Sequence, residues 1–589
     1  MTNPTASTMT RDALAREFIR GQADEDLFGL LFHPMVFIRP DHDPDAPSPL
    51  GPSTRELIVD RGIRHLCLGA MPSPTEAADI IQSLQAIATS HGTRLPITFS
   101  SDPRHSFLQN LGASHRADGM SQWPEPIGLG AIDDDALVET FARIVRDDYR
   151  AIGIRMALHP QVDLATEPRW ARQAQSFGVS PQKTARLLRA FLIGLQGDRV
   201  SGSTVAATVK HFPGGGPQRD GEDPHFSYGR EQVYPGGRFE DHLLPFRTAV
   251  ELGAAAIMPY YGMPVGLELG GAPVEEVGFA FNKRIITDLL RDQLGFEGVV
   301  LSDFGLINDA APFGKPFPAR AWGVEHLDGE QRMARLINAG IDQLGGESDT
   351  VQLGRLLEDG RISHERFREA VTRVVALTLD LFPGARLPDA PPLSGLEDRE
   401  HVALGHAAQS RAITVLVNEE IDGHPVLPLA GPGRIHLRGI EESALPAGWS
   451  VASANDADLA IVRLSAPFEL RDRFFLEASM EQGSLEFSDE VTEEIRDLAA
   501  LCPVVVCVTL SRPAILTSLL PHVTALVADF GASDTAVFDA LSLAQAPEGR
   551  LPFELPRSMA AVVASSPDVG SDSGDPVFPV GAGLRLTRS

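Results

Sequence analysis

The chain has 589 residues, of which 43% are hydrophobic and 22% are charged, and its formal net charge at pH 7 is −28. A chain of this length cannot bury its apolar residues in one core, so the sequence predicts two or three domains, and its composition excludes global disorder. The negative charge repels phosphate backbones and anionic lipid head groups, so we expect neither a nucleic-acid partner nor a membrane partner.

The cysteines and the N-terminus indicate the compartment. Cys67, Cys502 and Cys507 each lie in or beside an apolar run, which favours reduced, buried thiols over disulfides. No Cys/His spacing is typical of a zinc site, and the sequence predicts no metal and no cofactor. The N-terminus lacks the apolar core of a signal peptide, and no apolar stretch has membrane-spanning length. We therefore expect a cytoplasmic protein, and the sequence leaves open whether it forms homo-oligomers.

Strand-like runs alternate with amphipathic helices up to about residue 385. The segment Lys283–Leu294 has apolar residues in helical spacing and is followed by Gly295, a helix stop. Repeated βα units over this length predict a (β/α)8 barrel at residues 55–384, with residues 1–54 as an N-terminal extension or the start of the barrel domain. The clearest predicted strands are Ile63–Leu68, Pro96–Ser100, Thr204–Val209, Ala254–Met258 and Gly298–Leu301.

A Pro-rich linker, residues 385–405, precedes a second alternating pattern. Buried strands with helices between them predict a smaller α/β domain at residues 406–589. The predicted strands of this domain are Ile413–Val417, Leu459–Leu464, Pro503–Val508 and Thr524–Ala528.

Polar side chains follow several of the predicted barrel strands. Lys210 and His211 end the run Thr204–Val209, and the Pro- and Gly-rich sequence after them forces a sharp turn. Asp102 and Asp303 end two other runs. Because the carboxyl ends of barrel strands meet at one mouth, these residues predict a pocket of carboxylates and cations. Such a pocket suits a neutral, hydroxyl-rich ligand, and a rigid carboxylate can attack an anomeric carbon.

Each of these residues has a structural alternative. An aspartate at a strand end is often the N-cap of the following helix. Tyr260 and Tyr261, which end the run Ala254–Met258, are of a type more often found in the core than in contact with a ligand.

Several motifs occur in the order typical of one family. They are Asp163–Arg172, Lys210–Gly214, Gly298–Gly305 and Ala339–Asp342 in the first domain, and Ser410–Asn418, Arg512–Ala514 and Val577–Leu584 in the second. In these motifs and in their order, the chain resembles glycoside hydrolase family 3, the β-glucosidase family. The resemblance implies a TIM-type barrel followed by an α/β sandwich domain, without the fibronectin-like domain of some members.

The same resemblance implies an activity and a set of site residues. It implies a retaining, exo-acting β-glycosidase, with β-glucosidase favoured, that acts on small soluble carbohydrates through a covalent glycosyl-enzyme. Asp303 matches the catalytic nucleophile of the family. The residues that match positions holding the sugar hydroxyls are Asp102, Arg172, Lys210 and His211, and those that match the neighbours of the nucleophile are Met258 and Tyr261.

The general acid/base is the open position. In two-domain members it is a glutamate from the second domain, which favours Glu469, with Glu477 as the second choice. Its pKa must be raised so that it is protonated when substrate binds. Asp223 and His225 resemble, at a longer spacing, the dyad of the family's N-acetylglucosaminidases, which implies that activity, or a phosphorylase, as an alternative. A sugar-binding relative without catalysis is the alternative of another class.

Overall fold

Eight parallel strand positions close into a barrel in the computed structural model, which describes residues 10–48, 51–110, 114–396 and 398–587. The first position is interrupted at Pro34, which has no N–H to donate to a ladder. The strand segments are β1 (Phe32–His33), β2 (Met35–Phe37), β3 (His65–Ala70), β4 (Thr98–Ser101), β5 (Ile154–Ala157), β6 (Ala206–Phe212), β7 (Ala256–Pro259), β8 (Val299–Val300) and β9 (Leu344–Gly345).

The two halves of the first position close the ring. Phe32 of β1 pairs with Leu344 of β9, and Met35 of β2 pairs with Cys67 of β3. β8 and β9 are joined by a parallel bridge between Leu301 and Gln343. The predicted (β/α)8 barrel is therefore confirmed, and its first strand lies within the segment 1–54.

Helices surround this barrel, and three short strand pairs lie outside its ring. The helix Arg284–Gln293 is of the π type and lies in the segment predicted to be helical. The α-helices are α1 (Arg11–Phe18), α2 (Thr54–Val59), α3 (Pro74–Ser90), α4 (Pro126–Ile132), α5 (Asp135–Ile152), α6 (Pro181–Gln196), α7 (Phe239–Glu251), α8 (Gly329–Ala339), α9 (Thr350–Glu358) and α10 (His364–Leu381). The short strand pairs are His105–Asn110 with Ser114–Arg116, Glu231–Val233 with Met263–Val265, and Glu268–Leu269 with Ala272–Pro273.

The second domain is a six-stranded sheet with apolar clusters on both faces. Val504 and Val506 pack into one cluster, whereas Val505 and Cys507 pack into the other, so both faces of this strand are buried. The predicted α/β sandwich is confirmed. Its strands are β10 (Thr414–Asn418), β11 (Arg434–Arg438), β12 (Ser450–Val451), β13 (Leu459–Ser465), β14 (Val504–Thr509) and β15 (Ala525–Asp529), in the spatial order β10-β15-β14-β13-β11-β12 with β10 antiparallel to β15. Its helices are α11 (Arg399–Ala412), α12 (Asp489–Ala499), α13 (Asp534–Leu541) and α14 (Met559–Ala564), and a hairpin pairs Glu420–Ile421 with His424–Pro425.

Barrel residues complete the core of the second domain. Ile127 and Ala131 of α4 belong to the same buried cluster as Phe530 and Phe553. The backbone N–H of Glu125 donates to the carbonyl of Phe530 at 2.9 Å. The two domains therefore share apolar surface and backbone hydrogen bonds. All three cysteines are buried and unpaired, and none of the helices in the described ranges is long and apolar enough to cross a bilayer.

A cluster of one carboxylate and three guanidinium groups lies under the strand that leads to Asp303. Asp342 is fully buried, and its Oδ1 accepts hydrogen bonds from Arg366 at 2.8 Å and Arg373 at 3.1 Å. Its Oδ2 accepts from Arg291 and, at 3.0 Å, from the backbone N–H of Val300. Burial opposes ionisation of Asp342, but the three cations outweigh it and lower its pKa. This carboxylate therefore fixes the backbone of β8 at Val300.

A carboxyl group beside the domain junction is also buried. Oε1 of Glu125 accepts a hydrogen bond from the backbone N–H of Leu108 at 2.9 Å. Its Oε2 is buried beside a cavity of about 40 Å³. Burial raises the pKa of this carboxyl to about 8. Stability at the junction therefore depends on a proton that Glu125 holds more tightly in the folded protein than in the unfolded chain.

Replacing Asp342 tests the contribution of its buried cluster of arginines to stability. We expect Asp342→Asn to destabilise the protein by about 3–5 kcal/mol, because it leaves three buried or half-buried cations without their anion. The midpoint of urea unfolding measures the effect. The control is Asp458→Asn, which breaks an exposed ion pair with Arg434 and should leave the midpoint nearly unchanged. Equal midpoints for wild type and Asp342→Asn would contradict the argument.

Replacing Glu125 tests whether its buried carboxyl makes stability depend on pH. The raised pKa means that its contribution to stability is complete below the ordinary pKa of about 4.5 and is lost as pH rises to about 8. Over that window the free energy of unfolding should fall by about 1.4 kcal/mol per pH unit from this group. Glu125→Gln should remove this decline, measured as the difference between urea midpoints of the two proteins from pH 5 to 8.5. Parallel pH profiles would show that Glu125 does not titrate in this range.

Candidate active site

A β-bulge at His211 turns two consecutive side chains of β6 toward the barrel mouth. Lys210 is in register with Met258 on β7, but Phe212, not His211, is in register with Pro259. Consecutive residues of a regular strand point to opposite faces, and the extra residue of a bulge breaks this alternation. The predicted strand stops at Val209, because polar residues end the apolar pattern, whereas backbone pairing continues through Phe212.

Asp303 follows β8 with one carboxylate oxygen held and the other left open. Oδ1 accepts hydrogen bonds from the phenol of Tyr261 and from the backbone N–H of Phe304, both at 2.7 Å. Oδ2 accepts no hydrogen bond from the described residues and lies 3.9 Å from Nε2 of His211. The side chain is 11% exposed. Oδ2 is therefore the oxygen that a ligand can reach.

His211 contacts two charged residues of the pocket, Asp163 and Arg172. Its Nδ1 donates to Oδ2 of Asp163 at 2.7 Å, and its Nε2 lies 3.2 Å from Nη1 of Arg172. Because a guanidinium only donates, Nε2 is the acceptor and Nδ1 carries the proton. Burial, assisted by Arg172 and Lys210, holds the pKa of His211 well below its ordinary value. The imidazole is therefore neutral and oriented by Asp163.

Arg172 and Lys210 supply the cations of the pocket. Nζ of Lys210 lies 2.8 Å from Oδ1 of Asp102, and both side chains are nearly buried. Burial would raise the pKa of Asp102, but Lys210 outweighs it and lowers that pKa, so Asp102 is ionised. Nε and Nη2 of Arg172 are buried without a partner among the described residues. A hydroxyl-bearing ligand can satisfy these two donors.

Asp223 and His225 form a buried dyad against the same group of residues. Oδ1 of Asp223 accepts from Nδ1 of His225 at 2.6 Å, and the His225 ring lies 4.7 Å from the ring of Tyr261. Trp170 donates to Oδ2 of Asp223 at 3.2 Å. Burial opposes ionisation of Asp223, but His225 and Arg172 lower its pKa. Asp223 therefore orients the His225 ring through Nδ1, and that ring packs against Tyr261, whose hydroxyl binds Asp303.

The structure places the two predicted glutamates within their own loop. Glu469 has a side chain 54% exposed, and it contacts Arg471 at 3.2 Å and the backbone N–H of Ser484 at 3.2 Å. That backbone hydrogen bond, together with Arg471, lowers the pKa of Glu469, which is the opposite of what a general acid needs.

Glu477 is 2% exposed and is occupied by its neighbours. Its Oε1 accepts from Tyr228 at 2.7 Å, and its Oε2 accepts from the backbone N–H groups of Arg473 and Phe474. None of the contacts that the structure describes brings Glu469 or Glu477 to Asp303. Their roles stay predictions.

Sequence reasoning assigned no role to several residues that build the pocket. Asp163 begins the motif Asp163–Arg172, but its contact with His211 depends on a turn that also brings the N–H of Gly215 to its carboxylate. Tyr260 packs against His211 at 4.7 Å, where composition alone indicates a core residue. Gln482 carries no sequence signal at all. Its contact with Asp223 depends on how the two domains meet.

Comparison with known proteins gives matches over both domains. The family model described as "Glycosyl hydrolase family 3 N terminal domain" matches residues 50–377, and "Glycosyl hydrolase family 3 C-terminal domain" matches residues 401–586. The chain is 40% identical over 583 residues to "Probable beta-glucosidase C" of Aspergillus flavus, covering 98% of this chain and 90% of that protein. It is 37% identical over 553 residues to "Periplasmic beta-glucosidase/beta-xylosidase" of Dickeya chrysanthemi, covering 90% and 84%. The crystal structure of a β-glucosidase from Listeria innocua in complex with isofagomine has the same fold, with a TM-score of 0.75, 20% identity and coverage of 98% and 84%.

The orientation of His211 by Asp163 can be tested directly. In Asp163→Asn the amide can donate to Nδ1, which moves the ring proton to Nε2 and sets it against Arg172. We expect kcat/KM to fall about 10- to 100-fold, the size expected for a lost hydrogen bond to a charged group. The control is Asp148→Asn, which changes a buried pair with His105 and should lower stability without lowering kcat/KM. Equal losses in both variants would contradict a specific role for Asp163.

Proposed function

The chain belongs to glycosyl hydrolase family 3 and is a β-glucosidase-like glycoside hydrolase, and on this premise we propose that it is a retaining, exo-acting enzyme with Asp303 as nucleophile and His225 as general acid/base. The observation that carries the proposal is the free Oδ2 of Asp303 beside an aspartate–histidine dyad. Oδ2 attacks the anomeric carbon while His225, in its doubly protonated form, gives the proton on Nε2 to the leaving oxygen as the bond between that oxygen and the anomeric carbon breaks. In the second step Nε2 takes a proton from the water that releases the sugar from Asp303.

The choice of His225 over Glu469 rests on contacts and charge. His225 is nearly buried and packs on Tyr261, which itself touches Asp303. Glu469 is half-exposed and is held by Arg471 in its charged form. A general acid must lie within hydrogen-bond reach of the leaving oxygen and carry a proton. The position of His225 supports this choice, because its ring packs on Tyr261, whose hydroxyl binds Asp303.

The enclosure of the pocket supports exo action on a terminal sugar. The charged residues that surround Asp303 are nearly buried, and an open cleft for an internal chain segment would expose them on two sides. Paired carboxylates and cations suit the hydroxyls of one sugar ring. The substrates we propose are small soluble β-glycosides. The residues of this enclosure are Asp102 at 8% exposed, Arg172 at 2%, Lys210 at 5% and His211 at 1%.

The dyad also favours a second candidate, a β-N-acetylglucosaminidase. The short contact between Asp223 and His225 is the observation behind it, because this pair resembles the loop of that branch of the family. The two candidates differ in the sugar, not in the roles of Asp303 and His225. Comparing kcat/KM for 4-nitrophenyl β-glucoside and 4-nitrophenyl N-acetyl-β-glucosaminide distinguishes them.

Removing the nucleophile tests the enzyme as a whole. We expect Asp303→Asn to lower kcat on 4-nitrophenyl β-glucoside by more than about 10³-fold, because the amide cannot form the glycosyl-enzyme. The thermal midpoint should stay close to that of wild type. Unchanged turnover in Asp303→Asn would remove Asp303 from the mechanism.

Two matched variants test the acid/base. Without a general acid, a substrate whose leaving group is a weak base still reacts, whereas one with a strongly basic leaving group does not. We expect His225→Ala to lower kcat/KM about 10²-fold or more on phenyl β-glucoside but little on 2,4-dinitrophenyl β-glucoside. On the latter kcat should fall, because water is no longer activated in the second step, and added azide should restore it. Glu469→Gln should behave as wild type on both. The reverse pattern would assign the role to Glu469.

A further inference from the structure

The loop that carries the dyad is held by the second domain along its length. Arg471 forms two hydrogen bonds with Glu222, at 2.6 and 3.1 Å. The ring of Phe226 stacks with that of Phe474 at 5.8 Å. These contacts come from the same second-domain segment, residues 469–482, in which sequence analysis expected the acid itself.

Gln482 is the second-domain side chain that touches the dyad directly. It is fully buried, and its Oε1 accepts a hydrogen bond from the backbone N–H of Asp223 at 3.0 Å. Its Nε2 donates to the hydroxyl of Tyr228 at 3.2 Å, and that hydroxyl donates to Glu477 at 2.7 Å. One amide therefore binds the dyad loop at both ends of the segment 223–228.

The backbone of Gln482 is itself fixed. Its carbonyl accepts from the N–H of Glu469 at 2.8 Å and from the guanidinium of Arg512 at 3.1 Å. The side chain of Gln482 is buried, its backbone is fixed, and both atoms of its amide are hydrogen-bonded, so it is held in one conformation. Removing its oxygen would leave the Asp223 N–H unpaired in a fully buried place and release the loop.

We propose that Gln482 is a positioning residue that sets the place of the general acid/base through Asp223. The second domain thus holds the loop that carries Asp223 and His225 in place. This inference rests on the proposed role of His225. A shift of about 1 Å in a proton donor is enough to reduce proton transfer greatly without changing how the sugar binds.

Gln482→Met tests the inference, since methionine has similar volume and cannot replace either hydrogen bond. We expect kcat/KM on phenyl β-glucoside to fall about 10-fold or more, and kcat/KM on 2,4-dinitrophenyl β-glucoside to change less than about twofold. Gln482→Glu keeps the acceptor for the Asp223 N–H and should retain most of the wild-type rate on both substrates.

The control is Asp472→Asn, which removes an exposed contact between the same segment and Lys315 of the barrel without touching residues 222–228. It should leave both rates unchanged. An equal loss on both substrates in Gln482→Met, or no loss on either, would overturn the positioning role. If Gln482→Met does not fold, Gln482→Glu decides: a rate on phenyl β-glucoside as low as that of His225→Ala would overturn it.

A double variant separates this inference from the proposed function. Because Gln482 acts through the dyad, Gln482→Met should cause no further loss on phenyl β-glucoside once His225→Ala is present. Additive losses would show that Gln482 acts elsewhere. If His225→Ala alone shows no dependence on the leaving group, the proposed acid/base is wrong. If His225→Ala shows that dependence and Gln482→Met does not, the positioning role of Gln482 is wrong, and the acid/base role of His225 is retained.

Discussion

The guanidinium of Arg512 organises the junction from which the site is built. It is fully buried and donates to backbone carbonyls, at 3.1 Å to Gln482 and at 2.9 Å to Arg169 of the barrel. Burial lowers its pKa to about 10, which still leaves it charged at neutral pH. One cation therefore binds the loop of the second domain and the barrel segment that carries Trp170 and Arg172. The other carbonyls that it binds are those of Pro467, Gly483 and Ser484.

Charge compensation explains how the pocket tolerates so many ionised groups. Asp102 is matched by Lys210, whereas Asp163 holds the neutral His211. Each carboxylate is buried with a specific partner, as buried charge requires. Asp303 differs, since its Oδ2 accepts no hydrogen bond from the described residues and lies 3.9 Å from the neutral His211. The pocket is thus arranged so that the carboxylate oxygen left incompletely satisfied is the one that meets the ligand.

Hydropathy predicted the interior of the fold well and its edges poorly. The run Pro503–Val508 coincides almost completely with β14, because both faces of that strand are buried. The half-strands β1 and β2 are two and three residues long, too short for a periodic signal, and β11 alternates with polar residues. Residues at strand ends, such as Asp303, could be found from sequence. The contact between Gln482 and Asp223 could not, because it arises from the packing of two separately recognisable domains.

The divided first strand has a consequence for synthesis of the protein. β1 pairs with β9, so the ring cannot close until residue 345 has left the ribosome. Until then β8 and β1 present unpaired edges, and contacts between such distant segments form slowly. Nascent chains grow from the N-terminus and fold domain by domain, so a chain stalled within the barrel carries open parallel edges that can pair with another chain. The last barrel strand therefore converts an aggregation-prone open sheet into a structure without edges, before the second domain is made.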